Sequence, residues 1–330
     1  MSEYIKVYEY ESNVNPSLNQ VPIVTKSIKD CVNGINYIDN GTVYNVDYKA
    51  TSPNLLASFI VLDENKGNDN EGHIIRFNRE DVAVEKEINA SSHLFYVFNG
   101  KCRFTLREYV YIRGEEYGEL YTEIEDTEFI VECGEIFICP AFQTLVICND
   151  LVNEKTEIYY INDSPLLNYL GAEAEKQIFK PSVYGKKFIR ENLQNLSNPN
   201  NNRKGILLSN LDTEKIGVNT ITPTLWSLYN QLPANTKQRP HRHNSVALDL
   251  CIACSDSANE NVYTLMGSEL DAEGNIINPT KMYWKEGVMF TTPPCLWHSH
   301  HNDGDTDAYV LPIQDAGLLL YQRILGIVLQ

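Results

Sequence analysis

Basic residues are scarce in this chain of 330 residues, where 27 Lys and Arg stand against 44 Asp and Glu and the formal net charge is −17. Nucleic acids and anionic membrane surfaces repel an acidic protein, so the composition disfavours both as partners. Gln322 and Arg323 interrupt the most apolar late segment, residues 318–329, which is too short to span a bilayer. Residues 1–4 do not begin a basic region followed by an apolar stretch, which speaks against a signal peptide. We therefore expect a soluble, cytoplasmic protein.

Several motifs with a defined chemistry are missing. The sequence contains no G-x-S-x-G, no P-loop and no dinucleotide-binding fingerprint. Eight cysteines are present, but only one C-x-x-C occurs, from Cys251 to Cys254, and no second pair completes a four-thiolate site. On a regular strand these two side chains would point to opposite faces. We therefore expect reduced cysteines without a metal or redox role.

Short apolar runs separated by turn residues begin near Ser58, with residues 58–62 and 94–98 as examples. This pattern is typical of an all-β sandwich or barrel. Ser164 and Pro165 predict the start of a short helix, and the polar residues 197–202 favour turns. These signals predict a first barrel at residues 1–165, a linker with short helices at 166–210 and a second barrel at 211–330.

The same three residue types, Gly, Pro and Asn, occur twice with the same spacing: six residues from Gly to Pro and nine from Pro to Asn. The first set is Gly134, Pro140 and Asn149, and the second is Gly287, Pro293 and Asn302. Within this frame Leu145 occupies the position of His298. Repetition of a spaced frame in strand-rich context indicates an internal duplication.

Five of the seven histidines lie between residues 241 and 301. His241 and His243 are two residues apart, so on a strand both would face the barrel interior. His298 follows a Pro-Pro turn and would arrive from another strand. Three imidazoles placed in this way leave one side of a metal ion open, and they suit Fe, Zn, Cu, Ni or Mn. The sequence therefore predicts one metal site in the second barrel.

Side chains alternate between the two faces of a strand, and this alternation assigns two more residues to the barrel interior. His300 shares the parity of His298 and could orient a ligand or exchange protons with a substrate, or it could make a structural hydrogen bond. Asp249 shares the parity of His243. In the first copy Glu87 and Asn89 replace the His pair, and Leu145 replaces the third ligand. We therefore expect no metal beside His93 in the first barrel.

These segments resemble the two cupin motifs. Residues 287–302 match the second motif, Gly-x5-Pro-x4-His-x3-Asn, except that Cys295 stands where the family usually has Gly. The first motif supplies the His-x-His pair at 241–243, but Ala247 and Leu248 stand where most cupins have a Glu ligand. Residues 240–249 and 292–304 resemble the gentisate 1,2-dioxygenase branch, which also lacks this Glu. In that branch the site usually lies in the first barrel, whereas here the histidines lie in the second.

The resemblance to a bicupin covers roughly residues 50–325 and implies two tandem cupin barrels (double-stranded β-helix or jelly roll) with short connecting helices. It implies an Fe(II)-dependent dioxygenase that uses O2 on a small, hydroxylated and possibly aromatic substrate, with His241, His243 and His298 as metal ligands. We also expect a homo-oligomer. The alternatives are a cupin isomerase or lyase that uses Zn, Mn or Ni, and a non-catalytic bicupin that binds a small molecule.

Asp249 bears on the substrate. Relatives of the gentisate type commonly have an Arg at this position, where it can pair with a substrate carboxylate. An ionised Asp would instead repel a carboxylate by roughly 4 kcal/mol at 4 Å for an effective dielectric near 20. We therefore expect a neutral or cationic substrate, or one whose hydroxyls donate to Asp249. The alternative is that Asp249 is bonded to a neighbouring Arg or Lys and never contacts substrate.

Overall fold

A computed structural model describes residues 4–63, 74–78, 88–113, 120–151, 154–196, 204–254 and 260–330. Glu87 and the polar stretch at 197–202 lie outside the described residues. Within the described ranges, no helix has both the length and the apolar character needed to cross a membrane.

The first half of the chain is built of antiparallel strands. In chain order they are β1 (Thr25–Ser27), β2 (Gly34–Ile38), β3 (Leu56–Leu62), β4 (Ile74–Asn78), β5 (Ser92–Asn99), β6 (Lys101–Arg113), β7 (Leu120–Glu132), β8 (Ile136–Pro140), β9 (Thr144–Asn149) and β10 (Thr156–Asn162). The α-helices in the described part of the chain are short: α1 (Tyr10–Asn13), α2 (Ser164–Leu170), α3 (Lys186–Gln194), α4 (Leu211–Glu214) and α5 (Ala316–Tyr321).

The second half repeats this construction. Its strands are β11 (Ser182–Tyr184), β12 (Lys204–Leu208), β13 (Trp226–Leu232), β14 (Thr236–Lys237), β15 (His241–His243), β16 (Ala247–Ala253), β17 (Val262–Gly267), β18 (Thr280–Tyr283), β19 (Val288–Thr292), β20 (Trp297–Asn302), β21 (Ala308–Gln314) and β22 (Ile327–Leu329).

Two large sheets have the same strand order, which confirms the duplication. One runs β11-β8-β5-β10-β3-β2 and the other runs β1-β19-β16-β21-β13-β12. The first packs against the sheet β4-β9-β6-β7, and the second against β18-β17-β20-β15-β22, to which β14 is added through β20. The architecture is therefore all-β with two tandem barrels, as the sequence predicted.

The two barrels exchange their leading strands. β1 precedes the first barrel in the chain but pairs with β19 of the second, where Thr25 lies opposite Phe290. β11 precedes the second barrel but pairs with β8 of the first, where Ser182 lies opposite Ile138. The domain boundaries at residues 165 and 210 stay a prediction. Both of these strand pairs join residues that lie on opposite sides of a predicted boundary.

Three apolar clusters account for the long apolar runs of the sequence. One fills the first barrel and includes Phe95, Phe104 and Leu145, and a smaller one fills the second barrel around Trp284 and Phe290. A third lies between the two large sheets, where residues from both halves pack together. Because these sheets are covered on both faces, strands such as β3 and β10 are buried at every position and do not alternate with polar residues.

The prediction for Cys251 and Cys254 was wrong in its geometry. A register shift between Cys251 and Ala253 interrupts the pairing of β16 with β21, and such a bulge changes the side-chain parity along a strand. The Cys254 thiol consequently lies within hydrogen-bonding reach of Cys251, which lowers the pKa of Cys254. Neither residue forms a disulfide bond.

Candidate metal centre

The three predicted histidine ligands meet in the wall of one cavity of the second barrel. His241 and His243 lie on β15, and His298 lies on the neighbouring strand β20, directly opposite His241. One ring nitrogen of each residue lies within 4.8 Å of the others. The ring centroids of His241 and His298 are 4.0 Å apart, and those of His243 and His298 are 4.8 Å apart.

Hydrogen bonds set the tautomer of two of these rings. Nδ1 of His243 lies 2.9 Å from the carbonyl oxygen of Ser245 and 3.0 Å from its hydroxyl, and Nδ1 of His298 lies 2.9 Å from the carbonyl oxygen of Leu296. A carbonyl oxygen only accepts, so Nδ1 carries the proton in both rings. Nε2 then carries the lone pair, which is the arrangement that metal-binding imidazoles have.

A further contact supports His243. The Ser245 hydroxyl donates to Oε1 of Gln314 at 2.7 Å, so its oxygen is oriented to accept from His243. Three imidazoles, two of them held in the ligating tautomer and all facing one space, fit a divalent transition metal. Ala247 faces the same cavity at the position where most cupins have Glu, so the chain presents no carboxylate ligand there.

Cys295 explains the departure from the second cupin motif. Its φ is 66°, in the left-handed region that favours glycine. Its backbone N–H donates to the carbonyl oxygen of His243 at 2.7 Å, which links the turn before β20 to the ligand strand β15. The turn therefore keeps the backbone conformation that the usual Gly would adopt, although the residue has changed.

His300 also faces the cavity, as its parity predicted. The indole N–H of Trp284 donates to Oγ1 of Thr264 at 2.8 Å, and the same oxygen lies 2.8 Å from Nδ1 of His300. The Thr264 hydroxyl has two lone pairs and one proton, so it can accept from Trp284 and also either donate to Nδ1 of His300 or accept from it. The contact holds the His300 ring in place and leaves both tautomers available.

Asp249 is buried, 2% exposed, and lines the same cavity. Its bonded partner in the described part of the chain is Thr292, whose hydroxyl donates to Oδ2 at 2.7 Å, and no Lys or Arg there forms an ion pair with it. Burial raises the pKa of Asp249 to about 7, and the bond from Thr292 opposes this shift. Within the described residues, the partner of Asp249 is thus a hydroxyl and not the basic residue that the alternative required.

The cavity at this site has a volume of about 200 Å³. This is below the range of roughly 300–1,000 Å³ that is typical of sites for drug-sized ligands. Besides the four histidines, its polar lining consists of Asn230, Asp249 and Gln314. Its apolar lining consists of Trp226, Leu228, Ala247, Pro312, Ile327 and Leu329. The described lining residues include no Lys or Arg.

Side chains that alternate with the ligands along β15 and β20 point away from the cavity. The ring of His301 stacks on Tyr263 with 5.0 Å between centroids. The guanidinium of Arg242 lies 4.7 Å from the centroid of the Trp297 ring. Both aromatic contacts belong to the outer face of the sheet.

The equivalent positions of the first barrel have different surroundings. Asn89, which replaces His243, donates to the carbonyl oxygen of Ala172 at 2.6 Å. Nδ1 of His93 lies 2.8 Å from the hydroxyl of Tyr160, and burial lowers the pKa of His93 to about 3. Leu145 is fully buried among apolar residues. These groups are engaged in packing and in structural hydrogen bonds.

Sequence reasoning missed part of the cavity wall. Ile327 and Leu329 come from β22, which pairs with β15 along the edge that carries His241 and His243. Ser245 is two residues from His243, so strand alternation gives it the same inward face, but the sequence alone indicated no role for it. The alternation of Ile327, Val328 and Leu329 was the available signal for β22, but it cannot indicate which strand is the partner.

No family model matches this chain, and no curated protein does. Among solved structures, salicylate 1,2-dioxygenase from Pseudaminobacter salicylatoxidans is similar with a TM-score of 0.66 and 12% identity, over 99% of this chain and 94% of that chain. A structure of that enzyme with gentisate is similar with a TM-score of 0.63 and 11% identity, over 96% and 87% of the two chains. The chain therefore has the two-barrel fold of a bicupin, the fold of the gentisate-type dioxygenases that its motifs resemble.

Proposed function

We propose that this protein is an Fe(II)-dependent dioxygenase that acts on a small, hydroxylated aromatic substrate. The observation that carries the proposal is the cluster of His241, His243 and His298, whose ring nitrogens lie close together in the wall of one cavity. Fe(II), when bound there, would supply the redox chemistry that allows O2 to react with an organic substrate. Zn, Mn or Ni in the same ligands would supply Lewis-acid chemistry without O2.

The chain's own residues would orient the substrate. Thr264 holds Nδ1 of His300 and so directs the other ring nitrogen, Nε2, to the cavity, where it can exchange a hydrogen bond or a proton with a substrate oxygen. Asp249 has one carboxyl oxygen bonded to Thr292, which allows the other to accept from a substrate hydroxyl or amine. Trp226, Leu228 and Pro312 would pack against the apolar face of an aromatic ring.

The lining favours a substrate without a carboxylate. No described lining residue is a Lys or Arg, and Asp249 replaces the Arg that is common in gentisate-type relatives. A substrate carboxylate would be desolvated in this cavity without a cation to pair with it, which is costly. Catechols and 2-aminophenols, which are neutral and carry two adjacent polar groups, fit the lining better than gentisate or salicylate.

The test begins with metal analysis of protein purified without oxygen, followed by O2 uptake with catechol, 2-aminophenol, hydroquinone, gentisate and salicylate. We expect about one iron per chain and O2 uptake that is stoichiometric with ring cleavage for at least one neutral substrate. His301→Ala is the matched control, because His301 lies on the same strand but faces outward. Turnover that proceeds without O2 would instead identify an isomerase or lyase, and tight binding without turnover would identify a binding protein.

A further inference from the structure

A side chain of the first barrel reaches the support of a metal ligand in the second. Nδ2 of Asn54, in the turn before β3, donates to Oδ2 of Asp315 at 2.7 Å. Oδ1 of Asp315 accepts from the backbone N–H of Val246 at 2.9 Å. Val246 follows Ser245, whose carbonyl and hydroxyl oxygens hold Nδ1 of His243.

Two consecutive residues of one segment therefore accept hydrogen bonds from two consecutive residues of another. Gln314 accepts from the Ser245 hydroxyl, and Asp315 accepts from the Val246 N–H. We call this four-residue arrangement (Ser245, Val246, Gln314 and Asp315) the ligand clamp. Its members are each at most 7% exposed, so their polar groups depend on one another rather than on solvent. Asn54 is half-buried and contacts the clamp from the other barrel.

The first barrel contains a counterpart of this contact that reaches no histidine ligand. Oγ1 of Thr224, in the turn before β13, donates to Oδ2 of Asp163 at 2.9 Å, and Asp163 accepts from the N–H of Ser92 at 3.1 Å. Asp163 follows β10 as Asp315 follows β21. The duplication thus places one carboxylate bond across the barrel interface in each direction. Beside Asp163, however, the position of His243 is occupied by Asn89.

We propose that Asn54 is a positioning residue for the metal ligand His243 and acts through Asp315 and the ligand clamp. This role rests on the proposed metal site. Loss of the Asn54 amide would leave Oδ2 of the buried Asp315 without its donor from the first barrel. A buried carboxylate that loses a donor moves or becomes protonated to find a new partner. Either change would shift the backbone of Val246, which is bonded to Asp315. Because Ser245 precedes Val246 and holds Nδ1 of His243, the orientation of the His243 ring would change as well.

The experiment uses the full-length chain with Co(II) as the probe and compares three variants. Asn54→Ala removes the donor, Thr224→Ala removes its counterpart, and Asn54→Thr installs the donor that the counterpart uses. We expect Asn54→Ala to raise the Kd for Co(II) about tenfold, as is typical when a residue behind a ligand is lost, and to shift the visible d–d bands. Thr224→Ala should leave both unchanged, and Asn54→Thr should restore most of the affinity.

The free energy of unfolding of the metal-free proteins separates positioning from general destabilisation. Asn54→Ala and Thr224→Ala each remove one hydrogen bond across the interface, so they should lose similar unfolding free energy while only the first loses Co(II) affinity. Equal Co(II) affinity in Asn54→Ala and wild type would overturn the positioning role alone, as would equal weakening in both Ala variants. Failure of the wild type to bind Co(II) would overturn the metal site and this role with it.

Discussion

The hydroxyl of Thr292 lies 2.7 Å from Oδ2 of Asp249 and donates the hydrogen bond that partly offsets the burial of this carboxyl group. Thr292 ends β19, whose Phe290 lies opposite Asp249 on β16, so the partner comes from the neighbouring strand of the same sheet. Asp249 is therefore a carboxyl group with a hydroxyl partner and a pKa raised to about 7 by burial.

The first prediction concerns stability and pH in metal-free protein. The folded-state pKa of Asp249 is about 7, above the value of 3.8 for an ordinary Asp. Its contribution to stability is therefore fully present below pH 3.8 and is lost as the pH rises through about 7, by up to about 4 kcal/mol. The difference in unfolding free energy between Asp249→Asn and wild type should move in favour of the variant over this window. Urea unfolding at several pH values measures it.

The comparison of Asp249→Asn with the wild type isolates the contribution of Asp249 to the pH dependence of stability. Asp315 has a pKa raised to about 6 by burial, and that of Asp163 is also raised, but both are present in wild type and in Asp249→Asn and cancel in the difference. A difference in stability that stays constant from pH 4 to pH 8 would show that Asp249 does not retain its proton on folding.

The second prediction concerns substrate preference. Asp249→Arg should improve the binding of gentisate and salicylate, because a guanidinium pairs with a carboxylate through two parallel hydrogen bonds. Binding of neutral catechols should not improve. Titration of each compound into the metal-loaded wild type and variant compares the Kd values. Rapid cleavage of gentisate by the unmodified protein would show that the substitution at Asp249 does not control the choice of substrate.

The third prediction concerns the metal ligands. His243→Ala should remove most of the bound metal, because the remaining two imidazoles provide too few ligands for tight binding. The β-rich circular dichroism spectrum should be retained, since the apolar clusters that hold the sheets do not include His243. Metal analysis after gel filtration gives the stoichiometry, with His301→Ala as the control. Equal metal content in His243→Ala and wild type would place the site elsewhere.

The fourth prediction is that the first barrel holds no metal. Leu145 occupies the third ligand position and is fully buried, and His93 is paired with Tyr160. Crystals soaked in the metal and measured at its absorption edge should give one anomalous peak, beside His298. A second peak beside His93 would contradict the assignment of this barrel to packing.

The fifth prediction concerns His300. Thr264→Val removes the hydroxyl that is hydrogen-bonded to Nδ1, so the imidazole loses the contact that orients it and can turn away from the substrate. We expect turnover to fall by about 10²-fold, a typical loss when a proton donor is misplaced, while the metal content stays at the wild-type level. A parallel loss of metal and activity would mean that Thr264 supports the metal ligands instead.

The histidine cluster shows how far local sequence patterns reach. The spacing of His241 and His243 places both on one face of a strand, and this holds for any strand because side chains alternate. Parity likewise placed His300 and Asp249 on the inward face and His301 on the outward face. The repeat of Gly134 and Gly287 predicted two copies of one barrel, and the equal strand orders of the two large sheets confirm it.

Parity failed where the strand itself is irregular. The expectation for Cys251 and Cys254 assumed a regular β16. The bulge in its pairing with β21 changes which face of the sheet the residues after it point to. A bulge depends on how two strands match along their length, so neither strand's sequence reveals it alone.

The sequence by itself determined the all-β class, the duplication and the inward orientation of the four histidines and of Asp249, because these follow from local alternation and from repeated spacing. Only the tertiary structure decided that β1 and β11 are exchanged between the barrels, that β22 closes the cavity beside β15, and that Asn54 bonds to Asp315. Each of these contacts joins residues far apart in the chain. Such pairings are selected by the shape and burial of the whole assembly, which no local pattern encodes.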